Sequence, residues 1–387
     1  MSMPPSYLPR PLRAALLAAA LPPAHGVGFL KPLDQEISFS KGRHHSASRL
    51  FAGRRTLQWI QNQTEWLSDE AEWGQLRAKY GSEPGQLTGI VTHAGKRGGD
   101  YMDHAIMLGR SLVEKLPEFP RVAITVEGIS EHDQEALRRA GWHLVQVADW
   151  GGSHCGEKCA ANFLGRWADS FEKLHAFRVP FKRVLFMDAD TYVFKSELRD
   201  VITSTDLREG EIAMVRDTCK PKGDEEEYNS GVMLYEPSLG AFSGMLARIA
   251  ERSSDASNQD YGNILDQRII NVEYRGQVVE LPDRFNCVDP GKSGPRCPKK
   301  CLDEFVVSHF TGIPKPTRAD YGRLRVVRGG NLTAVQETCK GSNKGSCDRW
   351  PDFFCAMKKE SEYLSSRLQT ALEDAGECVS PGFARLA

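Results

Sequence analysis

The chain has 387 residues, 40% hydrophobic and 26% charged, with a formal net charge of -1. This is an ordinary globular composition with enough chain for a sizeable core, in one large or two modest domains. The near-neutral balance excludes a chain-wide basic surface for nucleic acid or for an anionic membrane.

Arg10 and Arg13 precede a short apolar run, Ala14 to Leu21, then a proline break and small residues up to Gly28. Residues 1–28 therefore read as a signal peptide, with an uncleaved N-terminal anchor as the alternative. No other segment reaches the roughly 18 apolar residues that a membrane span needs. Residues 29–84 read as a stem or targeting segment ending in a short helix. Within it, 38–56 is basic, Ser-rich and free of acids, which suits a flexible stem or a transit peptide. The secretory pathway is the expected location, and a plastid reached by a bipartite signal is the alternative. Asn62-Gln63-Thr64 and Asn331-Leu332-Thr333 are sequons that would matter in a secretory lumen. The ten cysteines favour disulfides in an oxidising compartment over a zinc site, because no Cys or His pairs recur at finger-like spacing.

Trp59, Trp66, Leu67, Trp73 and Leu76 predict a short amphipathic helix within 57–80. From about residue 87, apolar strand-like runs alternate with helical segments. Strands are predicted at Ile90–Thr92, Val122–Val126, 143–147, Arg183–Met187, Ile212–Val215 and Gly231–Tyr235. Helices are predicted near 103–116, 131–140, 163–178, 240–252 and 259–272. The alternation predicts an α/β fold with helices on both faces of the sheet, and a ligand site at the carboxyl ends of strands. Residues 331–387 read as a Cys-rich appendage with one amphipathic helix over 352–374.

Arg183-Val-Leu-Phe-Met-Asp-Ala-Asp-Thr-Tyr-Val-Phe194 carries the chemistry. A buried strand delivers Asp188 and Asp190 at its carboxyl end, and period-2 alternation points both carboxylates the same way. Two hard oxygen ligands on one side suit Mn²⁺ or Mg²⁺ bridging phosphate oxygens. The same pattern resembles the haloacid-dehalogenase phosphatase signature, in which Asp188 would be the nucleophile and Asp190 the acid/base. The acidic Gly-Asp cluster which that class carries late in its chain has one counterpart here, Gly99 to Asp103, and it lies upstream.

The surrounding blocks discriminate. Ile90-Val-Thr followed by Tyr101 and Ala105–Leu112 comes first, then Phe171-Glu-Lys-Leu-His175 and the strand with Asp188 and Asp190. Tyr228-Asn-Ser-Gly-Val-Met-Leu-Tyr-Glu-Pro237, Asp266-Gln267 with Asn271, Leu281–Asn286 and Val307-Ser-His-Phe-Thr-Gly-Ile-Pro-Lys315-Pro follow. From Leu87 to Lys315 the chain resembles glycosyltransferase family 8, the group that includes glycogenin and galactinol synthase. The resemblance implies a GT-A type nucleotide-sugar-binding fold over 85–330, a mixed but mostly parallel sheet with helices on both faces. It implies a retaining hexosyltransferase that uses a UDP-sugar of the glucose or galactose class and Mn²⁺ or Mg²⁺. The acceptor would be a glycan, a protein or a small polyol. A catalytically silent carbohydrate-binding protein on the same fold is a further alternative.

By resemblance, His309 is the third metal ligand beside Asp188 and Asp190, with Ala189 between them in the donor site. Lys173, Gly312 and Lys315 would meet the diphosphate, and Tyr101 would stack on the base. Asn229, Ser230 and Gly231 would line the sugar site. Asp266 and Gln267 would contact the donor sugar, with Asp266 near the reacting carbon. Asp266 would then act as a nucleophile in a double displacement, or the leaving phosphate would take the acceptor's proton at the front face. Asp217 is a looser match to the sugar pocket, and Asp224 to Glu227 reads as a solvated loop. Between Cys287 and Ser308, where glycogenin carries its self-glucosylated tyrosine, this chain has none.

Overall fold

The computed structural model describes residues 65–95, 99–148, 168–217, 227–254, 266–288, 305–310, 356–364 and 369. The chain divides into two compact units, Met1–His45 and Ser46–Ala387, and every described residue lies in the second. The expected signal or anchor, the basic stretch at 38–56, Gly312 and Lys315 all lie outside the described residues.

The first described helix, α1, spans Glu70–Tyr80. Asp69 caps it by accepting from the Glu72 amide at 3.1 Å, and Gly81 ends it in a left-handed conformation at φ 67°. Trp73 and Leu76 are buried, and the Trp73 indole donates to the Leu67 carbonyl. Trp66, counted in the predicted apolar face, lies before the helix and is exposed.

The α/β alternation is present. Strands β1 (Thr88–Ala94), β2 (Arg121–Val126), β3 (His143–Val147) and β4 (Arg183–Met187) are separated by α2 (Gly99–Lys115), α3 (Glu131–Arg139) and a 3-10 helix at Ala168–Arg178. The last segment was expected as an α-helix starting near 163, and residues 163–167 are not described. Ser130 caps α3 through the Asp133 amide at 3.1 Å. Beyond β4 come β5 (Thr191–Val193), α4 (Leu198–Ser204), β6 (Ile212–Arg216), β7 (Tyr228–Tyr235), α5 (Leu239–Ser254), α6 (Asp266–Glu273) and β8 (Val278–Leu281). Two short strands, β9 (Cys287–Val288) and β10 (Val307–His309), follow.

The main sheet has seven strands in the order β3-β2-β1-β4-β7-β6-β8. The neighbours pair in parallel except at β7, which runs antiparallel to both β4 and β6. Strands β2 and β7 are buried along their whole length, so their residues do not alternate between buried and exposed. A second sheet, β5-β10-β9, stands beside the end of β4.

Met357 and Leu364 join the same buried core as the main sheet, and Glu360 pairs with Arg110 of α2 at 2.9 Å. The single helix expected over 352–374 is not continuous. A helical turn at 356–359 passes into a 3-10 turn at Ser361–Tyr363, and Leu364 is extended. The Gln369 side chain donates to the Leu364 carbonyl at 2.8 Å, satisfying a group that a continuous helix would have paired internally. Cys287 is buried, and the remaining cysteines lie outside the described residues.

Candidate metal and donor site

Strand β4 ends at Met187, one residue short of the aspartates. The Asp188 amide extends the β4–β7 ladder by donating to the Gly231 carbonyl at 2.8 Å. The chain then turns. Thr191 closes the turn by donating its amide (3.0 Å) and its hydroxyl (2.7 Å) to the Asp188 carbonyl. Asp188 and Asp190 therefore converge because of a turn, not because of strand alternation. Asp190 is buried, whereas the Asp188 side chain is 25% exposed.

After the turn, β5 pairs antiparallel with β10 and sets Thr191 opposite His309. The Phe310 amide donates to the Asp190 carbonyl at 2.8 Å. These contacts bring His309 Nε2 to 3.7 Å from Asp188 and 3.2 Å from Asp190. One ligand atom from each of the three residues lies within 4.8 Å of the others. Two carboxylates and one imidazole suit Mn²⁺ or Mg²⁺ in chemistry and spacing, so the residues fit the implied ion.

Lys173 enters from the 3-10 helix. Its ammonium pairs with Asp188 at 3.2 Å, forms an ion pair with Asp266, and donates to the Ser230 hydroxyl at 2.9 Å. Burial works against the Lys173 charge, yet Asp188 and Asp266 outweigh it and hold its pKa above the ordinary lysine value. Burial raises the Asp188 pKa, against the opposing pull of Lys173 and His309. His93, at the end of β1, is driven by burial and by the Lys173 charge down to a pKa of about 4. It therefore faces Glu172, 3.8 Å away, as a neutral imidazole near pH 7.

Asp266 opens α6 and accepts from the Ser230 hydroxyl at 3.2 Å. Gln267 accepts from the Ser230 amide at 3.3 Å and donates to Asp217 (3.0 Å) and Glu227 (3.3 Å). Asp217 thus belongs to the neighbourhood of Gln267. Glu227, expected in a solvated loop, is half-buried there. Asn271 fastens α6 to β7 by clamping both backbone groups of Tyr228 at 2.8 Å. Asn229, Ser230 and Gly231 sit on β7, and Ala189 is buried in the turn. Tyr101 lies on α2, half-buried against the core.

Asn286, the last residue of the Leu281–Asn286 block, also belongs to this site. Its side chain lies between the Asn229 carboxamide at 2.8 Å and His309 Nδ1 at 2.9 Å. Its position just before β9, which pairs with β10, explains the placement. Because β9 has two residues and β10 three, neither leaves a readable hydrophobic period.

A mixed sheet with an acidic turn at the carboxyl end of a central strand, faced by a histidine and a lysine, defines a GT-A type glycosyltransferase fold. The profile of Glycosyl transferase family 8 matches residues 99–319, more than half of the sequence, and the chain belongs to that family. Inositol phosphorylceramide glucuronosyltransferase 1 of Arabidopsis thaliana is 24% identical over 181 residues, which cover 46% of this chain and 30% of that protein. The chain thus spans less than a third of the curated relative it matches. The galactosyltransferase LgtC, crystallised with donor and acceptor sugar analogues, is 20% identical with a TM-score of 0.46, over 60% of this chain and 90% of LgtC. The apo structure of the bifunctional glycosyltransferase WbbM is 14% identical with a TM-score of 0.49, over 75% of this chain and 52% of WbbM.

Proposed function

We propose that the chain is a retaining hexosyltransferase that takes a UDP-sugar of the glucose or galactose class and depends on Mn²⁺, with Mg²⁺ as a substitute. The observation that carries this reading is the meeting of Asp188, Asp190 and His309 within 4.8 Å at the end of β4, with Lys173 linking that group to Asp266. A bound divalent ion would neutralise the diphosphate leaving group. Asp188, Asp190 and His309 would hold it, and Gly312 and Lys315 would complete the diphosphate cradle. Tyr101 would stack on the base. Asn229, Ser230, Gly231 and Gln267 would orient the sugar through its hydroxyls.

Asp266 Oδ2 accepts from both Lys173 and Ser230. A carboxylate held by an ammonium and a hydroxyl is a weakened nucleophile. This favours a front-face transfer, in which Asp266 stabilises positive charge growing on the sugar carbon and the departing phosphate takes the acceptor's proton. The catalytic domain would cover 85–330, with 1–28 a signal peptide or anchor and 331–387 a Cys-rich appendage. The ten cysteines support a secretory-pathway location, a plastid being the alternative. No described helix is long and apolar enough to cross a membrane. The acceptor would be a glycan, a protein or a polyol.

The test is UDP release from a panel of UDP-sugars with Mn²⁺, by the parent and by Asp190→Ala. Release that depends on the ion and collapses in the variant is expected, by about 100-fold or more. Equal release by Asp190→Ala overturns the metal assignment.

A further inference from the structure

His309 has two ring nitrogens, and only a nitrogen with a free lone pair can bind a cation. Nε2 faces Asp188 and Asp190, while Nδ1 lies 2.9 Å from Asn286 Oδ1. We propose that Asn229 and Asn286 form a buried amide relay that keeps a proton on His309 Nδ1 and so reserves Nε2 for a divalent cation. The relay rests on the metal reading above and adds Asn286 as a positioning residue.

The direction of the relay starts at a backbone group. The Gly231 amide can only donate, and it meets the Asn229 side chain at 2.9 Å, so the atom it meets must be the oxygen. That same oxygen accepts from Asn286 Nδ2 at 2.8 Å. Turning the Asn286 carboxamide over would set two oxygens against each other. With Nδ2 directed at Asn229, Asn286 presents its oxygen to the imidazole, and an acceptor there requires Nδ1–H. Asn229, Asn286 and His309 are all buried, with exposures of 6%, 2% and 3%. An unmatched donor or acceptor at that depth carries its full desolvation cost, so the alternative proton arrangement is disfavoured.

The backbone holds the relay in register. Asn286 immediately precedes β9, whose Cys287 and Val288 pair with Ser308 and His309. Asn229 and Gly231 lie on β7, next to β4. The relay therefore joins three strands at the point where the candidate ligands meet. Carboxamides and carbonyls in this outer position fix the ring and raise the basicity of the ligating nitrogen.

The experiment uses the full chain with ¹⁵N-labelled histidine, and the His309→Gln variant identifies the His309 signals. In the metal-free and the Mg²⁺-loaded parent, Nδ1 is expected to be protonated and its proton to exchange slowly. In parallel, Mn²⁺ affinity is titrated by electron paramagnetic resonance. Asn286→Leu should lose about 10- to 100-fold in Mn²⁺ affinity and lose the slow Nδ1 proton. Asn286→Asp, which still accepts from Nδ1–H but can no longer donate to Asn229, should keep the proton and recover only part of the affinity. An unprotonated Nδ1 in the parent overturns the relay, as does Mn²⁺ binding by Asn286→Leu within about twofold of the parent. If Asn286→Leu does not fold, the parent spectrum and Asn286→Asp decide. A parent that binds no Mn²⁺ overturns the ligand assignment, and the metal-free Nδ1 measurement tells that failure apart from failure of the relay.

Discussion

The ring of His309 lies against the bare backbone of Gly231: a methyl group placed on Gly231 would fall 2.1 Å from His309 Cε1. The contact is a matter of space, since no Cβ can share that position with the imidazole. Gly231→Ala should push His309 away from Asp188 and Asp190. The expected result is loss of Mn²⁺ binding by about tenfold or more, with a stability cost of about 1–3 kcal/mol. Isothermal titration with Mn²⁺ and chemical denaturation measure the two effects. Unchanged Mn²⁺ affinity would show that His309 does not hold the ion.

Lys173 neutralises two carboxylates at once, Asp188 and Asp266. Lys173→Met would leave both without their ammonium partner. Breaking a buried pair in this way typically costs about 3–5 kcal/mol, and the partial exposure of Asp188 puts this case at about 3 kcal/mol. The double variant Lys173→Met/Asp266→Asn should recover part of that loss in urea denaturation. A single variant as stable as the parent would mean that the three groups do not act as an ion-pair network.

The neutral His93 predicts an acid-sensitive fold. Its pKa is about 4 when folded, against an ordinary value of 6.5, so the unfolded chain takes up the proton first as pH falls. The contribution of His93 is therefore fully present above about pH 6.5 and is lost progressively down to about pH 4, to a total of about 3 kcal/mol. His175, held well below its ordinary value by burial and by Arg178, adds in the same direction. Denaturation of the parent and of His93→Gln at pH 7.0, 5.5 and 4.0 should show a shallower pH dependence in the variant. Parallel curves would remove His93 as a cause.

The segment 356–364 is part of the core rather than a loose end, because Met357 and Leu364 are buried with the sheet. Leu364→Ala should destabilise by about 2–4 kcal/mol. A change below about 0.5 kcal/mol in the unfolding free energy would mean that the segment can leave without disturbing the domain.

Much of the main sheet was legible before any coordinates. Arg183–Met187 was read to the residue, because four apolar side chains in a row between polar neighbours leave a central buried strand as the natural reading. The C-terminal helix was misread, because an apolar period over 352–374 cannot register that Leu364 leaves the helical path. Strands β5, β8, β9 and β10, and the two turns of α4, went unread for lack of length. His309 was reached by resemblance alone, since one histidine behind Val306 and Val307 has the local pattern of a core residue.

Local pattern determined the α/β class, most strands and the placing of Asp188 and Asp190 at a strand's carboxyl end. Composition and spacing could go no further, because hydrophobic periods report only which face of an element is buried. The tertiary structure alone decided that a turn, and not strand alternation, makes the two aspartates converge. It also decided that Lys173 bridges Asp188 and Asp266, and that Asn286 stands between Asn229 and His309. Those contacts join residues far apart in the chain. Their geometry comes from the 3-10 helix and α6 that carry Lys173 and Asp266, from strand pairing between β5, β9 and β10, and from the missing side chain at Gly231.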